Sequence, residues 1–107
     1  MKRYVESADL MSYTGNVTFG GYIGSYNEYE EYARNEEEAK ELIEQDAADD
    51  LTIEDIVQTD DDEWEVTVGF AGFIGVENTY EVYGTTEEEA TEAVLEEARW
   101  DLDVEII

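Results

Sequence analysis

Carboxylates are the residues of this sequence that could do chemistry, and they are present in large excess. The 107 residues contain 31 Asp and Glu against five Lys and Arg, with no His and no Cys, so the formal net charge is −26. Paired carboxylates can hydrolyse glycosidic bonds, but among 31 acids such pairs arise by chance. Without histidine or cysteine, the chain lacks the usual base near neutral pH and a thiol nucleophile. We therefore expect no enzymatic activity and no cofactor.

Two short motifs suggest ligand sites, and neither has a complete pattern. Residues 19–24, FGGYIG, are rich in glycine, but no lysine follows them and they lead into a predicted hairpin rather than a helix, unlike a phosphate-binding loop. Residues 58–65, QTDDDEWE, offer clustered oxygens for Ca²⁺, yet they lack the glycine and glutamate of an EF-hand loop. Acidic clusters between periodic segments are typical of loops. We interpret this one as a solvated linker without a metal site.

An internal repeat organises the chain. A shift of 51 residues aligns residues 13–56 with 64–107 without a gap, and it matches apolar, glycine and acidic positions alike. Matched pairs include Val17/Val68, Phe19/Phe70, Asn27/Asn78, Tyr29/Tyr80, Asp50/Asp101 and Leu51/Leu102. The sequence therefore predicts a single domain over residues 1–107, built from two repeats joined by an acidic linker at 57–63.

Each repeat has the pattern of two strands, a helix and a third strand. Apolar residues alternate over 17–23 and 64–74, which predicts strands with one buried face. Asn35 and Thr86 are good N-caps, and each is followed three residues later by Glu. The predicted fold class is α+β, a mostly antiparallel sheet of about six strands with both helices on one face. Two separate small sheets are the alternative, which we disfavour because a three-stranded unit with one helix is marginal alone.

Many of the acids are not explained by helix stability. Glutamates in the first turns, 36–38 and 87–89, are favoured by the helix dipole. Acids further along each helix cost stability, because like charges four residues apart repel. We predict that outward-facing acids of the helices and the linker bind a partner: Glu37, Glu41, Glu44, Asp49, Asp50, Asp60, Asp61, Asp62, Glu63, Glu88, Glu92 and Glu96.

The distribution of charge suggests the class of partner. Residues 1–12 carry two acids and two bases, so the repeats and their linker hold the entire excess. A small acidic chain of this kind resembles the DNA-mimic inhibitor proteins of phages and mobile elements, of the anti-CRISPR or anti-restriction type. The resemblance rests on size, composition and charge over the whole chain. It implies a non-enzymatic inhibitor that blocks the basic DNA- or RNA-binding groove of a host defence nuclease or CRISPR effector.

The same features predict location and exclude some partners. So acidic a surface repels nucleic acid and anionic membranes. No run of 18 apolar residues is present and the first residues lack an apolar signal core, so we expect a cytoplasmic protein, in the host cell if it is phage-encoded.

Two alternatives remain open at this stage. The acids could hold hydration in the high salt of a halophile's cytoplasm. They could also bind another basic protein, in which case outward-facing tyrosines would contribute to the interface. The tyrosines that this alternative concerns are Tyr22, Tyr26, Tyr32 and Tyr83. The competing interpretation is that they cover the helix-free face of the sheet.

Overall fold

A computed structural model describes residues 10–22, 24–71 and 73–107. These residues form six strands and two helices in the order ββαβββαβ. The elements are β1 (Met11–Phe19), β2 (Tyr26–Ala33), α1 (Glu36–Ala48), β3 (Leu51–Asp60), β4 (Glu63–Phe70), β5 (Glu77–Tyr83), α2 (Glu87–Arg99) and β6 (Leu102–Ile106).

Both helices begin at the predicted caps. The Asn35 side chain accepts a hydrogen bond from the N–H of Glu38 at 2.8 Å, and the Thr86 hydroxyl accepts one from the N–H of Glu89 at 3.1 Å. The carboxylates of the same two glutamates accept hydrogen bonds from the residue before each cap. The Arg34 N–H donates to Glu38 at 3.0 Å, and the Thr85 N–H donates to Glu89 at 2.7 Å. These bonds satisfy N–H groups that have no partner within the helix.

One stripe of each helix is buried. In α1 the buried residues are Ala39, Ile43 and Ala47, and in α2 they are Ala90, Val94 and Ala98. The spacing of four places them on a single face, and the small alanines allow each helix to lie close to its sheet. Helix α1 packs on β1, β2 and β6, while α2 packs on β3, β4 and β5. Neither of these 13-residue helices, within the part of the chain described, has the length and apolarity needed to cross a membrane.

The strands form two antiparallel sheets of three strands. The first sheet has the order β2-β1-β6 and the second has the order β3-β4-β5. The α+β class is confirmed, but the predicted single sheet of about six strands, with both helices on its one face, is wrong.

The reason is an exchange of the third strands. After α1 the chain crosses to the other half, so that Leu51 pairs with Phe70 in the second sheet, and after α2 Leu102 pairs with Phe19 in the first. Each sheet thus combines both halves of the chain. From the sequence alone, two small sheets are disfavoured because a three-stranded unit with one helix is marginal alone. Here neither sheet is an independent unit, because each contains a strand from the other half of the chain.

Two of the predicted boundaries also need correction. Strands β1 and β4 end at Phe19 and Phe70, short of the predicted 23 and 74; residues 23 and 72 lie outside the described residues. The chain turns there because Gly21 and Gly75 adopt φ values of 82° and 85°, which favour glycine.

The predicted linker at 57–63 has regular secondary structure. It comprises the end of β3, a turn and the start of β4, because Asp60 pairs directly with Glu63 and closes a tight hairpin. The segment is therefore part of the second sheet.

The core is continuous between the two sheets. All the buried residues in the described part of the chain are apolar or glycine. The rings of Phe19 and Phe70 lie 6.2 Å apart, centre to centre, where the two halves meet. Backbone bonds join the halves beside them: the Gly20 N–H donates to the Asp101 carbonyl at 2.8 Å, and the Ala71 N–H donates to the Asp50 carbonyl at 2.9 Å. These two bonds extend the β1–β6 and β3–β4 ladders, while the buried cluster that contains Phe19 and Phe70 packs one sheet against the other.

Candidate acidic interface

The predicted partner-binding acids fall into three places. On the helices, Glu37, Glu41, Glu88, Glu92 and Glu96 are exposed. Asp60, Asp61 and Asp62 are exposed at the tip of the β3–β4 hairpin, and Glu63 beside them is half-buried. Asp49 is exposed directly after α1, whereas Glu44 and Asp50 are half-buried. The twelve residues are thus carried by the two helices, the residues that follow α1 and the hairpin tip.

Glu44 is partly neutralised. Its Oε1 accepts a hydrogen bond from Nε of Arg99 at 2.9 Å, in the one ion pair found among the described residues. The pair links the two helices. Glu44 is therefore less available to a partner than the exposed helix acids, because its charge already has a counterion.

Asp50 has a structural partner. The Tyr29 hydroxyl donates to its carboxylate at 2.5 Å, and the Tyr80 hydroxyl donates to Asp101 at the same distance. The pKa of Tyr29 is raised well above its ordinary value, first by burial and then by the hydrogen bond to Asp50 and the negative charge of Asp50. Burial and Asp101 raise the pKa of Tyr80 in the same way. The recurrence of Asp50 and Asp101 in the sequence therefore has an explanation in the fold.

The hairpin tip is anchored to the end of β5. The Gly84 N–H donates to the Asp62 carbonyl at 2.9 Å, and Nε1 of Trp64 donates to the Gly84 carbonyl at 2.8 Å. These two bonds hold the acids of the tip at a fixed position. Within the described residues, no group of three or more potential ligand side chains is arranged to hold a metal ion.

Four strand acids that the sequence analysis did not select form a more regular array. On β2, Glu28 and Glu30 are exposed, and on β6, Asp103 and Glu105 are exposed. Asn16 of β1 pairs with Glu28 on one side and with Glu105 on the other, so all four acids lie on the face of the first sheet that α1 does not cover. We call this surface, Glu28, Glu30, Asp103 and Glu105, the open acidic face.

A neutral strand runs between the two acidic rows of this face. Its outward side chains are Ser12, Thr14, Asn16 and Thr18 of β1. The Asn16 Oδ1 is buried and has no hydrogen-bond partner among the described residues. With Thr18, Tyr26, Asp103 and Glu105, Asn16 lines a shallow depression of about 290 Å³. A buried acceptor without a donor is costly in a folded protein.

The second sheet carries acids on its open face too. Glu65 of β4 lies directly opposite Glu81 of β5, and both are exposed. Like charges in this position destabilise a sheet. Tyr26, Tyr32 and Tyr83 are exposed on the helix-free faces, while Tyr22 is half-buried and donates to the Glu77 carbonyl at 2.8 Å.

Two carboxyl groups also face each other between β2 and α1. Glu31, which the 51-residue shift aligns with the buried Val82, lies on the helix side of β2 against Asp46. The hydrogen bond to Asp46, with burial and the Asp46 charge, raises the pKa of Glu31. The fold therefore tolerates repulsion between these two carboxylates, although neither is among the predicted partner-binding acids.

A cleft lies where the C-terminal halves of the helices meet. It measures about 680 Å³ and collects three of the predicted acids, Glu44, Asp49 and Glu96, around the exposed Trp100. The remaining walls are Ala48, Leu95 and Arg99. We call it the helix-junction cleft.

Comparison with protein-family models, with curated proteins and with solved structures gives no match.

Proposed function

We propose that the protein is a non-enzymatic inhibitor that imitates nucleic acid and occupies the basic DNA- or RNA-binding groove of a nuclease or CRISPR effector. The observation that carries the proposal is the open acidic face, two rows of exposed carboxylates separated by a neutral strand. Nucleic acid likewise presents rows of negative charge, about one per 3.4 Å on each strand of DNA.

The geometry of the open acidic face gives it two such rows. Along one strand, side chains on the same face repeat every ~6.8 Å, twice the rise per residue. Across the sheet, β2 and β6 are two strand spacings apart, or about 9–10 Å. A groove that places lysine and arginine side chains against two phosphate rows would therefore meet carboxylates here on both sides of β1.

The state of Asn16 also supports a basic partner. Its buried Oδ1 lies between the two rows and lacks a donor among the described residues. Lysine and arginine carry several N–H donors and no acceptors. A basic side chain entering the depression would pair with Asp103 or Glu105 beside Asn16, and it would bond the Oδ1 once a rotation of the Asn16 side chain exposes that oxygen.

The distribution of charge supports display on a folded surface rather than on a tail. The first nine residues carry two acids and two bases, so the whole net charge of −26 falls within residues 10–107, which contain three bases. Such a surface disfavours nucleic acid itself as a ligand, since binding it requires cations that release its counterions. The proposed partner is a basic nucleic-acid-binding protein.

The proposal includes a duplicated architecture with an offset of 51 residues. Its support is a set of contacts that recur at that offset: the bonds of Tyr29 and Tyr80 to their aspartates, and the Asn27 and Asn78 amides that donate to the Ala71 and Gly20 carbonyls at 3.0 and 3.4 Å. Duplication would provide acidic surfaces on both halves, as the acids on the open face of the second sheet illustrate.

The test is inhibition of nucleic-acid enzymes in competition with their substrate. Restriction nucleases and CRISPR effectors would be assayed for DNA cleavage with increasing protein, at several DNA and KCl concentrations. We expect inhibition of at least one of them that is relieved by added DNA and weakened steeply by salt, because it depends on charge. Inhibition that DNA does not relieve would contradict mimicry, and no inhibition across the panel would overturn the proposal.

A matched pair of variants locates the surface. One carries Glu28→Gln, Glu30→Gln, Asp103→Asn and Glu105→Gln on the open acidic face. The other carries Glu37→Gln, Glu41→Gln, Glu88→Gln and Glu92→Gln on the helices, and so removes the same charge. We expect the first to lose about tenfold or more in inhibition and the second much less. The second variant also tests the predicted role of the helix acids, so equal losses, or a larger loss from the second variant, would contradict the assignment of the open acidic face.

A further inference from the structure

The helix-junction cleft has the form of a side-chain binding site. Its volume of about 680 Å³ is in the range of pockets that hold small groups. Its walls combine the apolar side chains of Ala48 and Leu95 with carboxylates from both helices. A cleft of this composition fits a side chain that has a flat apolar surface and a positive charge.

Trp100 is the unusual residue of this cleft. Its side chain is 84% exposed, whereas the other tryptophan, Trp64, is 8% exposed and donates its indole N–H to the Gly84 carbonyl. Trp64 is part of the core, but Trp100 contributes little to it. An exposed tryptophan in a concave site is typical of the residues that dominate protein–protein binding.

The cleft already holds one guanidinium group. Arg99 lines it and donates through Nε to Glu44 at 2.9 Å. That pair leaves the carboxylates of Asp49 and Glu96, both exposed, without a cationic partner among the described residues. The cleft therefore retains a negative charge beside an aromatic face.

We propose that the helix-junction cleft binds an arginine side chain of the basic partner protein. The guanidinium would stack on the indole of Trp100 and donate to Asp49 or Glu96. Arginine fits better than lysine, since its planar group stacks on aromatic rings and donates to carboxylates in a fixed fork. This inference rests on the proposed function only in taking the partner to be basic. It adds a specific anchor to a binding mode that would otherwise depend on charge alone.

The first experiment uses acetylated hexa-arginine and hexalysine as probes of the intact protein. Binding is followed by tryptophan fluorescence and by calorimetry at fixed ionic strength. We expect hexa-arginine to shift the emission of Trp100 and to bind about fivefold or more tighter than hexalysine. Equal affinities, or binding that leaves the emission unchanged, would overturn the assignment.

Variants separate the cleft from general attraction by charge. Trp100→Ala is expected to weaken hexa-arginine binding about tenfold and to remove most of the preference over hexalysine. Ile74→Ala, at an apolar residue that is fully exposed, is the control and should have no effect. Because both side chains are exposed, both variants should fold, as circular dichroism would verify. An undiminished affinity of Trp100→Ala would contradict the inference.

A second pair of variants tests the carboxylates. Asp49→Asn with Glu96→Gln removes two charges in the cleft, and Glu37→Gln with Glu88→Gln removes two exposed helix charges outside it. We expect the first pair to weaken hexa-arginine binding several-fold more than the second. Equal effects would indicate attraction by charge alone and overturn the inference. The peptide assays do not depend on the nuclease assays. If the protein inhibits no nuclease, the peptide assays still decide whether the cleft binds arginine.

Discussion

Removing the hydroxyl groups of Tyr29 and Tyr80 is expected to destabilise the protein and to reduce its sensitivity to alkaline pH. Each hydroxyl donates to an aspartate at 2.5 Å, to Asp50 and Asp101 respectively. These aspartates stand between a helix and the strand that crosses to the other half. The two bonds therefore fasten the points at which the chain changes sheets.

The expected loss at neutral pH follows from the nature of the bonds. A hydrogen bond to a charged group contributes about 1.5–3 kcal/mol, and partial exposure of both phenols reduces the contribution of these bonds to the bottom of that range or slightly below it. We expect about 1–1.5 kcal/mol from each of Tyr29→Phe and Tyr80→Phe. The two bonds share no residue, so the double variant should lose about 2–3 kcal/mol, provided that the effects add.

The pH dependence has a definite sign. The folded state raises the pKa of both phenols above the ordinary 10.0, so it holds their protons more tightly than the unfolded state does. This contribution to stability is complete below pH 10 and is lost as the pH rises above it. The full linkage for one group is about 1.4 kcal/mol per pH unit, and we expect about half of that because both phenols are partly exposed.

Urea unfolding between pH 7 and pH 11 measures both effects, and urea is preferred to guanidinium chloride because the latter is a salt that would screen the charges. The double variant should show a smaller loss of unfolding free energy above pH 10 than the unaltered protein. Tyr32→Phe on β2 and Tyr83→Phe on β5 are controls on the same strands, since their side chains are 63% and 67% exposed. If the double variant matches these controls at pH 7 and keeps the full alkaline slope, the reasoning is refuted.

Three further predictions concern repulsion between acids. Glu31→Gln should stabilise the protein at pH 7. Asp46 raises the pKa of Glu31, so the stabilising contribution of the protonated Glu31 is present at low pH and lost as the pH rises. The gain in unfolding free energy, measured with urea, should therefore vanish near pH 4, and a gain that persists there would contradict the assignment. Glu81→Lys should place a cation opposite Glu65 and stabilise the second sheet by about 0.5–1 kcal/mol in thermal melts at low salt, an effect that 0.5 M KCl should largely remove. Finally, the protein should be folded in dilute buffer and its melting temperature should rise by about 4–8 °C with KCl, corresponding to about 1 kcal/mol of relieved repulsion; unfolding at low salt would instead favour the halophile alternative.

The local features of the fold could be predicted from the sequence because neighbouring residues determine them. Asn35 and Thr86 bond within one helical turn, and the buried stripes of both helices follow from their spacing. The pairing of the strands could not be predicted in the same way. Leu51 and Leu102 occupy equivalent positions in similar strands, so the alternation of apolar residues allows either to pair with Phe19 or Phe70.

Two of the candidate surfaces could not be predicted either, because they form from elements that are distant in the sequence. The exposed acids of the helices were predictable from helical periodicity. The open acidic face was not, because Asp103 and Glu105 come beside Glu28 and Glu30 only through the pairing of β6 with β1. The helix-junction cleft around Trp100 depends on the meeting of two helices that are distant in the sequence.

The exchange of strands has a consequence for how the protein is made on the ribosome. Strand β1 is synthesised first and lies in the middle of its sheet, but one of its neighbours, β6, follows more than 80 residues later. Until then β1 has an unpaired edge, and Val17 and Phe19 lack the residues that will cover them on that side. The second sheet, by contrast, is built from three consecutive strands. We therefore expect the later half of the chain to order first during synthesis, against the direction of translation, and to serve as the template on which the earlier half closes.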